Sequence, residues 1–227
     1  LPGGIWIFPG RVVALRRHDV GFAASSAAML VELCLLVFAG IVVFVPYWLI
    51  VGVEQTSITW WSVVLVIVPI AVFLNPAVFN YVFTRLLVLM GKADVRVYLS
   101  FRRLSLILLI DILFWLVTGA GFYFLVASVQ PVPISSWLAL TSAFSMAWVI
   151  GFLAFLTPAG LGIREGALAV LLTPLLPPPL PALIALLARL WWTVAELISV
   201  ALAMLVGWKM NRDAAQIVSI TQEDTTR

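Results

Sequence analysis

A short polar string at residues 157–166 contains residue types that could bind an anionic group. A proline and two glycines, Gly160 and Gly162, end one apolar stretch, and Arg164 and Glu165 begin the next. A helix that starts near Arg164 would point its free N–H groups and the positive end of its dipole into the turn. Such an N-terminus beside an arginine suits phosphate, which a guanidinium can bind with two hydrogen bonds. We therefore expect Gly160, Gly162, Arg164 and Glu165 to form a substrate-binding turn.

Four further ionisable side chains lie inside other apolar stretches: Glu32, Asp111, Arg189 and Glu196. An unpaired charge at the centre of a membrane costs about 2.5–3.5 kcal/mol on insertion scales. These side chains must therefore pair, reach an interface or line a polar cavity. Glu32 could pair with a basic residue such as Arg11. A charge-paired clamp that only holds helices together is the alternative to a cavity.

Arg189 and Glu196 are candidates to contact the polar turn. They are seven positions apart, so they share one helix face at a separation of about 10 Å. That distance exceeds the usual pairing of neighbours on a helix. We expect this face to meet the turn, with Arg189 pairing with Glu165 and Glu196 pairing with Arg164.

The composition requires a membrane as the setting for these residues. Of the 227 residues 64% are hydrophobic and 10% are charged, against roughly 45–50% and about 25% in soluble domains. The net charge of +3 comes from basic residues at the ends of apolar segments, which indicates topology rather than nucleic-acid binding. The sequence predicts an all-α, polytopic integral membrane protein.

Five stretches are long enough to cross a hydrocarbon core, which takes roughly 20 helical residues. With the polar string, they predict about 5–6 membrane helices and a broken or re-entrant helix around 157–176. The stretch 166–176 is too short to cross alone, so either a half-helix and an extended proline-rich segment complete a crossing, or the chain forms a hairpin that turns back near mid-membrane. The five stretches are 22–51, 60–90 with a break at Pro76, 104–129, 137–156 and 182–208.

Lys and Arg lie before the first stretch, between the second and third, and after the last, whereas the loops 52–59 and 130–136 contain none. The positive-inside rule places the basic loops in the cytoplasm, in a multi-pass protein of the cell membrane. We expect a transmembrane domain at 1–208 and a short cytoplasmic polar tail at 209–227.

The string at 158–168, followed by a short apolar helix and by Ala-Arg-Leu at 188–190, resembles the lysylphosphatidylglycerol synthase transmembrane region, also called the flippase-like domain family. The segment from Leu1 to Arg11 looks like the part of that family after its first membrane helices, so we expect a chain that continues a longer one. Glu32 matches the acidic position of the family. The resemblance implies an all-helical membrane fold with re-entrant segments that moves lipids or lipid-linked molecules between leaflets.

The resemblance also implies a stand-alone member, because no soluble aminoacyl-transfer domain follows the last span. We expect a non-enzyme without a cofactor that moves a phospholipid or a polyprenyl-phosphate-linked molecule through a charge-lined cavity. The alternative is a non-catalytic membrane partner of a glycosyltransferase or lipid-modifying synthase in cell-envelope biosynthesis. The residues supply little for catalysis or metal binding, since His18 is the single histidine and Cys34 the single cysteine.

Overall fold

The computed structural model describes residues 22–55, 75–89, 98–154, 160 and 162–225. These residues are helical and contain no strand, which confirms the all-α class. The helices are α1 (Phe22–Gln55), α2 (Pro76–Leu89), α3 (Phe101–Val129), α4 (Trp137–Leu153), α5 (Ile163–Leu172) and α6 (Leu180–Thr225), and a single 3₁₀ turn, Ile134–Ser136, leads into α4.

Four helices within the described residues are long and apolar enough to cross a membrane. The candidate spans are Ser26–Val51, Phe101–Val129, Ile134–Leu153 and Leu180–Leu205, and each falls on a predicted stretch. In the remaining stretch, residues 60–74 lie outside the described residues. Its described part, α2, has 14 residues and is about 21 Å long, too short to cross alone.

The described helices fall into two compact units. The first runs through Ala185 and contains α1 to α5, and the second is Leu186–Arg227, most of α6. The predicted polar tail is a continuation of α6, which stays helical through Thr225. One of the two predicted versions has an extended proline-rich connection at 177–181. These residues are turned instead, because the N–H group of Leu180 bonds to the carbonyl of Pro177 at 3.1 Å and α6 begins at Leu180.

Helix α4 lies at the centre of the first unit, where α1, α3 and α5 all pack against it. Its sequence is apolar around the whole circumference, as expected of a helix enclosed by others. The Ser142 hydroxyl donates to the carbonyl of Val43 at 2.6 Å, and the Ser145 hydroxyl donates to that of Gly40 at 3.2 Å. These two contacts show that α1 and α4 run antiparallel.

Glycines set the closest approaches to α4. A Cβ at Gly40 would lie 2.8 Å from Cγ2 of Val149, and one at Gly119 would overlap the side chain of Thr141. Apolar helices in lipid associate mainly through such close packing, because lipid offers no hydrophobic gain for bringing them together. Ala27, in a run of small residues at 23–28, is also buried.

Candidate functional site

The turn between α4 and α5 has the backbone that its glycines predict. Gly160 and Gly162 have φ values of +65° and +82°, a region that other residues rarely adopt. Helix α5 begins at Ile163 with Gly162 as its N-cap, which confirms the expected start near Arg164. Gly160 lies so close to the backbone of Gly151 that a Cβ there would overlap the Gly151 carbonyl.

Glu165 caps the helix that it begins. Its Oε2 accepts a hydrogen bond from the backbone N–H of Gly162 at 2.7 Å, which is one half of a capping box. The carboxylate also lies at the positive end of the helix dipole. An anion that approached this N–H group would therefore compete with Glu165.

Arg164 reaches back onto α4. Its guanidinium lies over the ring of Phe144, 5.3 Å from the ring centroid, a distance typical of a cation–π contact. The close approach depends on Gly151, where a Cβ would lie 2.6 Å from Cβ of Arg164. Phe144 is itself stacked on Phe122 of α3, with the centroids 4.8 Å apart. The arginine is thus held, half-buried, against an aromatic core.

The far end of α5 is tied to α1. The hydroxyl of Tyr47 donates a hydrogen bond to the carbonyl of Leu171 at 2.5 Å. Because Arg164 contacts α4 near Gly151 and Leu171 contacts α1 near Tyr47, α5 runs back alongside α4 in the opposite direction. The two helices form a hairpin whose turn contains the predicted binding residues Gly160, Gly162, Arg164 and Glu165.

Three buried hydroxyl groups on α4 were not predicted as part of any site: Thr141, Ser142 and Ser145. Each donates to a backbone carbonyl, Thr141 to that of Trp137 at 2.8 Å and the two serines to α1 as described above. Hydroxyl residues and glycines inside an otherwise apolar span are the sequence signal for these contacts. The two serines join α4 to α1, whereas the bond of Thr141 lies within α4.

The predicted residues Glu32 and Asp111 lie across the interface of α1 and α3. The indole N–H of Trp115 donates to the carbonyl of Leu36 at 3.1 Å, and Glu32 and Asp111 each come one turn earlier on their helices. Asp111 is buried, with 9% of its surface exposed, whereas Glu32 is exposed. Arg11, the partner suggested for Glu32, lies outside the described residues.

Arg189 and Glu196 belong to the second unit, on α6. Oε1 of Glu196 accepts a hydrogen bond from the indole N–H of Trp192 at 2.7 Å, one turn away. The backbone carbonyl of Arg189 accepts one from the hydroxyl of Thr193 at 2.9 Å. The crossed pairs expected with Arg164 and Glu165 would join the two units, and they stay a prediction.

The function of the chain must follow from these contacts, because known proteins offer no guide to it. Neither a family model, nor a curated protein, nor a solved structure matches the chain. The resemblance to the lysylphosphatidylglycerol synthase transmembrane region therefore stays a prediction drawn from its residues.

Proposed function

We propose that this protein is a flippase-like transporter that moves a phosphate-bearing lipid between the leaflets of a membrane. The substrate would be a phospholipid or a polyprenyl-phosphate-linked molecule. The four apolar helices support a membrane setting. The observation that carries the proposal is the position of Arg164, on the first turn of α5 and against the ring of Phe144.

The length of α4 bears on how far the turn with Arg164 lies from the membrane surface. From Trp137, where α4 begins, to Gly151, where it meets Arg164, the helix rises about 21 Å, less than the roughly 30 Å of a hydrocarbon core. If Trp137 lies at the outer interface, the hairpin of α4 and α5 is re-entrant and its turn lies within the membrane. Broken helices are tolerated at that depth only inside protein or beside a watery cavity, and such half-helix ends are typical binding sites in transporters.

The contacts of the turn suggest how phosphate would be held and released. Arg164 offers a fixed guanidinium, and the N-terminus of α5 offers backbone N–H groups. Glu165 occupies the N–H group of Gly162 and so serves as an internal anion when no phosphate is bound. A lipid phosphate would displace the Glu165 carboxylate, which would be free to face a cationic or hydroxyl-rich headgroup. The return of Glu165 would then help to release the lipid.

The acyl or polyprenyl chains would stay in lipid while the headgroup passed the turn. Glu32 is proposed to line the same polar route, and the basic loops are proposed to lie on the cytoplasmic side of the cell membrane.

The experiment is a flip assay with the purified full chain in liposomes. Fluorescent phospholipid in the inner leaflet becomes accessible to a membrane-impermeant reductant only after it has crossed, so the bleaching rate reports transport. Arg164→Ala should lower the rate roughly tenfold or more, since hydrogen bonds to charged groups contribute about 1.5–3 kcal/mol. Arg103→Ala is the matched control, because Arg103 is an exposed arginine on the first turn of α3. Equal rates for wild type, Arg164→Ala and protein-free liposomes would rule out the transport function.

A further inference from the structure

Asp111 carries a buried carboxyl oxygen that no neighbour satisfies. Asp111 lies on the inward face of α3 with Leu104, Leu108 and Trp115, and 9% of its surface is exposed. Among the residues that the structure describes, its Oδ2 atom is buried and has no hydrogen-bond partner. A buried carboxylate without a compensating charge or hydrogen bond is strongly unfavourable. We therefore expect a positive charge to bind at this atom.

The register of α1 and α3 brings a second carboxyl group to the same level. Trp115 bonds to Leu36 at 3.1 Å, and Leu104, eleven residues earlier on α3, lies in one buried cluster with Ala27 and Val31 of α1, so the two helices run parallel. One turn before these two residues, Asp111 lies on α3 and Glu32 lies on α1. Two carboxylates at one level of adjacent helices repel each other when both are charged.

Within the described residues, the other charged groups on the helices packed near Asp111 do not replace such a cation. Helix α4, which packs against both α1 and α3, has no ionisable side chain. On α2, Arg85 is exposed and lies over the ring of Tyr81 at 5.6 Å. On α3 itself, Arg102 and Arg103 are exposed and about two turns before Asp111. On α1, the other titratable group near this level is the thiol of Cys34.

We propose that Glu32 and Asp111 form a binding site for one monovalent cation, a proton or a sodium ion. A proton on Oδ2 of Asp111 would neutralise the aspartate and leave Glu32 as the single negative charge. A sodium ion would instead be held between oxygens of both carboxylates. A divalent ion fits poorly, because calcium and magnesium take six or more oxygen ligands and the neighbours Leu108 and Trp115 offer none.

The role of this site rests on the proposed transport function, although cation binding does not. Loading and unloading Asp111 would change the charge at the interface of α1 and α3. Trp115, one turn further along α3, contacts Trp148 of α4, with the ring centroids 5.4 Å apart. Helix α4 leads directly into the turn at Gly160 and Gly162. An ion gradient that loads and unloads Asp111 would thus shift the turn that is proposed to bind the lipid phosphate.

The test uses the full chain in nanodiscs of neutral phospholipid and has two arms. Infrared spectroscopy at neutral pH detects the C=O absorption of a protonated carboxyl group. Thermal unfolding in sodium chloride and in choline chloride, at equal ionic strength, detects sodium binding. The variants are Asp111→Asn and Glu32→Gln, and the matched control is Asp213→Asn, which removes an aspartate beyond the candidate span of α6.

We expect a signal in one arm and its loss in Asp111→Asn. If the ion is a proton, the wild type shows a protonated-carboxyl absorption that Asp111→Asn lacks. If it is sodium, the wild type gains thermal stability in sodium chloride and the variant does not. Glu32→Gln should alter the same signal, and Asp213→Asn should leave it unchanged. Asp111→Glu, which keeps a carboxyl group, should retain the signal and covers the case in which Asp111→Asn fails to fold.

Infrared spectra and sodium responses of Asp111→Asn and Glu32→Gln that are identical to those of wild type would overturn the proposal. If Asp111→Asn fails to fold, identity of Glu32→Gln with wild type suffices to overturn it. The outcome is separable from that of the flip assay. A cation signal without lipid flipping would contradict the transport function but support the cation site. Lipid flipping without any cation signal would support the transport function but contradict the cation site.

Discussion

The guanidinium of Arg164 lies 5.3 Å from the ring centroid of Phe144, although the two residues are separated in the chain by the end of α4 and the whole turn. This contact fixes the start of α5 against the centre of α4. It also holds a permanent positive charge beside apolar helices.

Replacing Phe144 by leucine should lower lipid flipping more than replacing Phe122 by leucine. Both rings are fully buried and stacked on each other, so both variants should lose a similar packing energy, on the order of 1–2 kcal/mol. Phe144→Leu additionally removes the cation–π contact of Arg164, about 0.5–2 kcal/mol. Thermal unfolding in detergent measures the loss of packing energy that the two variants share. The flip assay measures the additional effect of losing the contact with Arg164. Equal flip rates in the two variants would show that the ring does not position Arg164.

Gly151→Ala should separate α5 from α4, whereas Gly166→Ala should not. A Cβ at Gly151 would lie 2.6 Å from Cβ of Arg164, and one at Gly166 would meet nothing within 4 Å. We expect Gly151→Ala to destabilise the protein by about 1–3 kcal/mol through overpacking. Gly166→Ala should be neutral or stabilise it by up to about 1 kcal/mol, since alanine favours helix. Unfolding midpoints of the two variants, measured side by side, check the difference. A Gly151→Ala protein as stable as wild type would contradict the close approach.

Glu165→Gln should strengthen the binding of a phosphate-bearing lipid. The glutamine amide oxygen can still accept the N–H bond of Gly162, so the start of α5 is preserved. The negative charge that competes with phosphate is removed. We expect more phospholipid to remain bound to this variant than to wild type after detergent purification, as measured by phosphorus content per protein. A lower phosphorus content than in wild type would indicate that Glu165 assists phosphate binding rather than opposing it.

The sequence allowed the long apolar helices to be predicted because their signal is a long uninterrupted apolar run. The start of α5 was predictable as well, since Gly160 and Gly162 precede it and adopt backbone angles that other residues rarely adopt. The capping role of Glu165 was available from its spacing of three residues from Gly162, but its charge suggested a partner at Arg189 instead. The bond to Gly162 uses one oxygen of the Glu165 carboxylate, and the pairing of Glu165 with Arg189 stays a prediction.

The arrangement of the helices could not be predicted in the same way. Helix α4 is apolar on every side, so its sequence does not indicate which face meets α1 or α3. The contacts that decide the arrangement are small ones, such as Gly119 against Thr141 and Ser142 against Val43. They depend on shape and on the register of two distant segments, and a hydropathy pattern contains neither. The turn at 177–180 replaced the extended segment of one predicted version, since a local hydrogen bond from the N–H of Leu180 to the carbonyl of Pro177 competes with extension.

Mass spectrometry of the lipids that remain bound through gentle purification tests the central claim most directly. The claim is that the turn at Arg164 binds the phosphate of a lipid. We predict that wild type and Arg103→Ala retain the same phosphate-bearing lipid and that Arg164→Ala, at equal stability, loses it. Retention of that lipid by Arg164→Ala at the wild-type level would contradict the account.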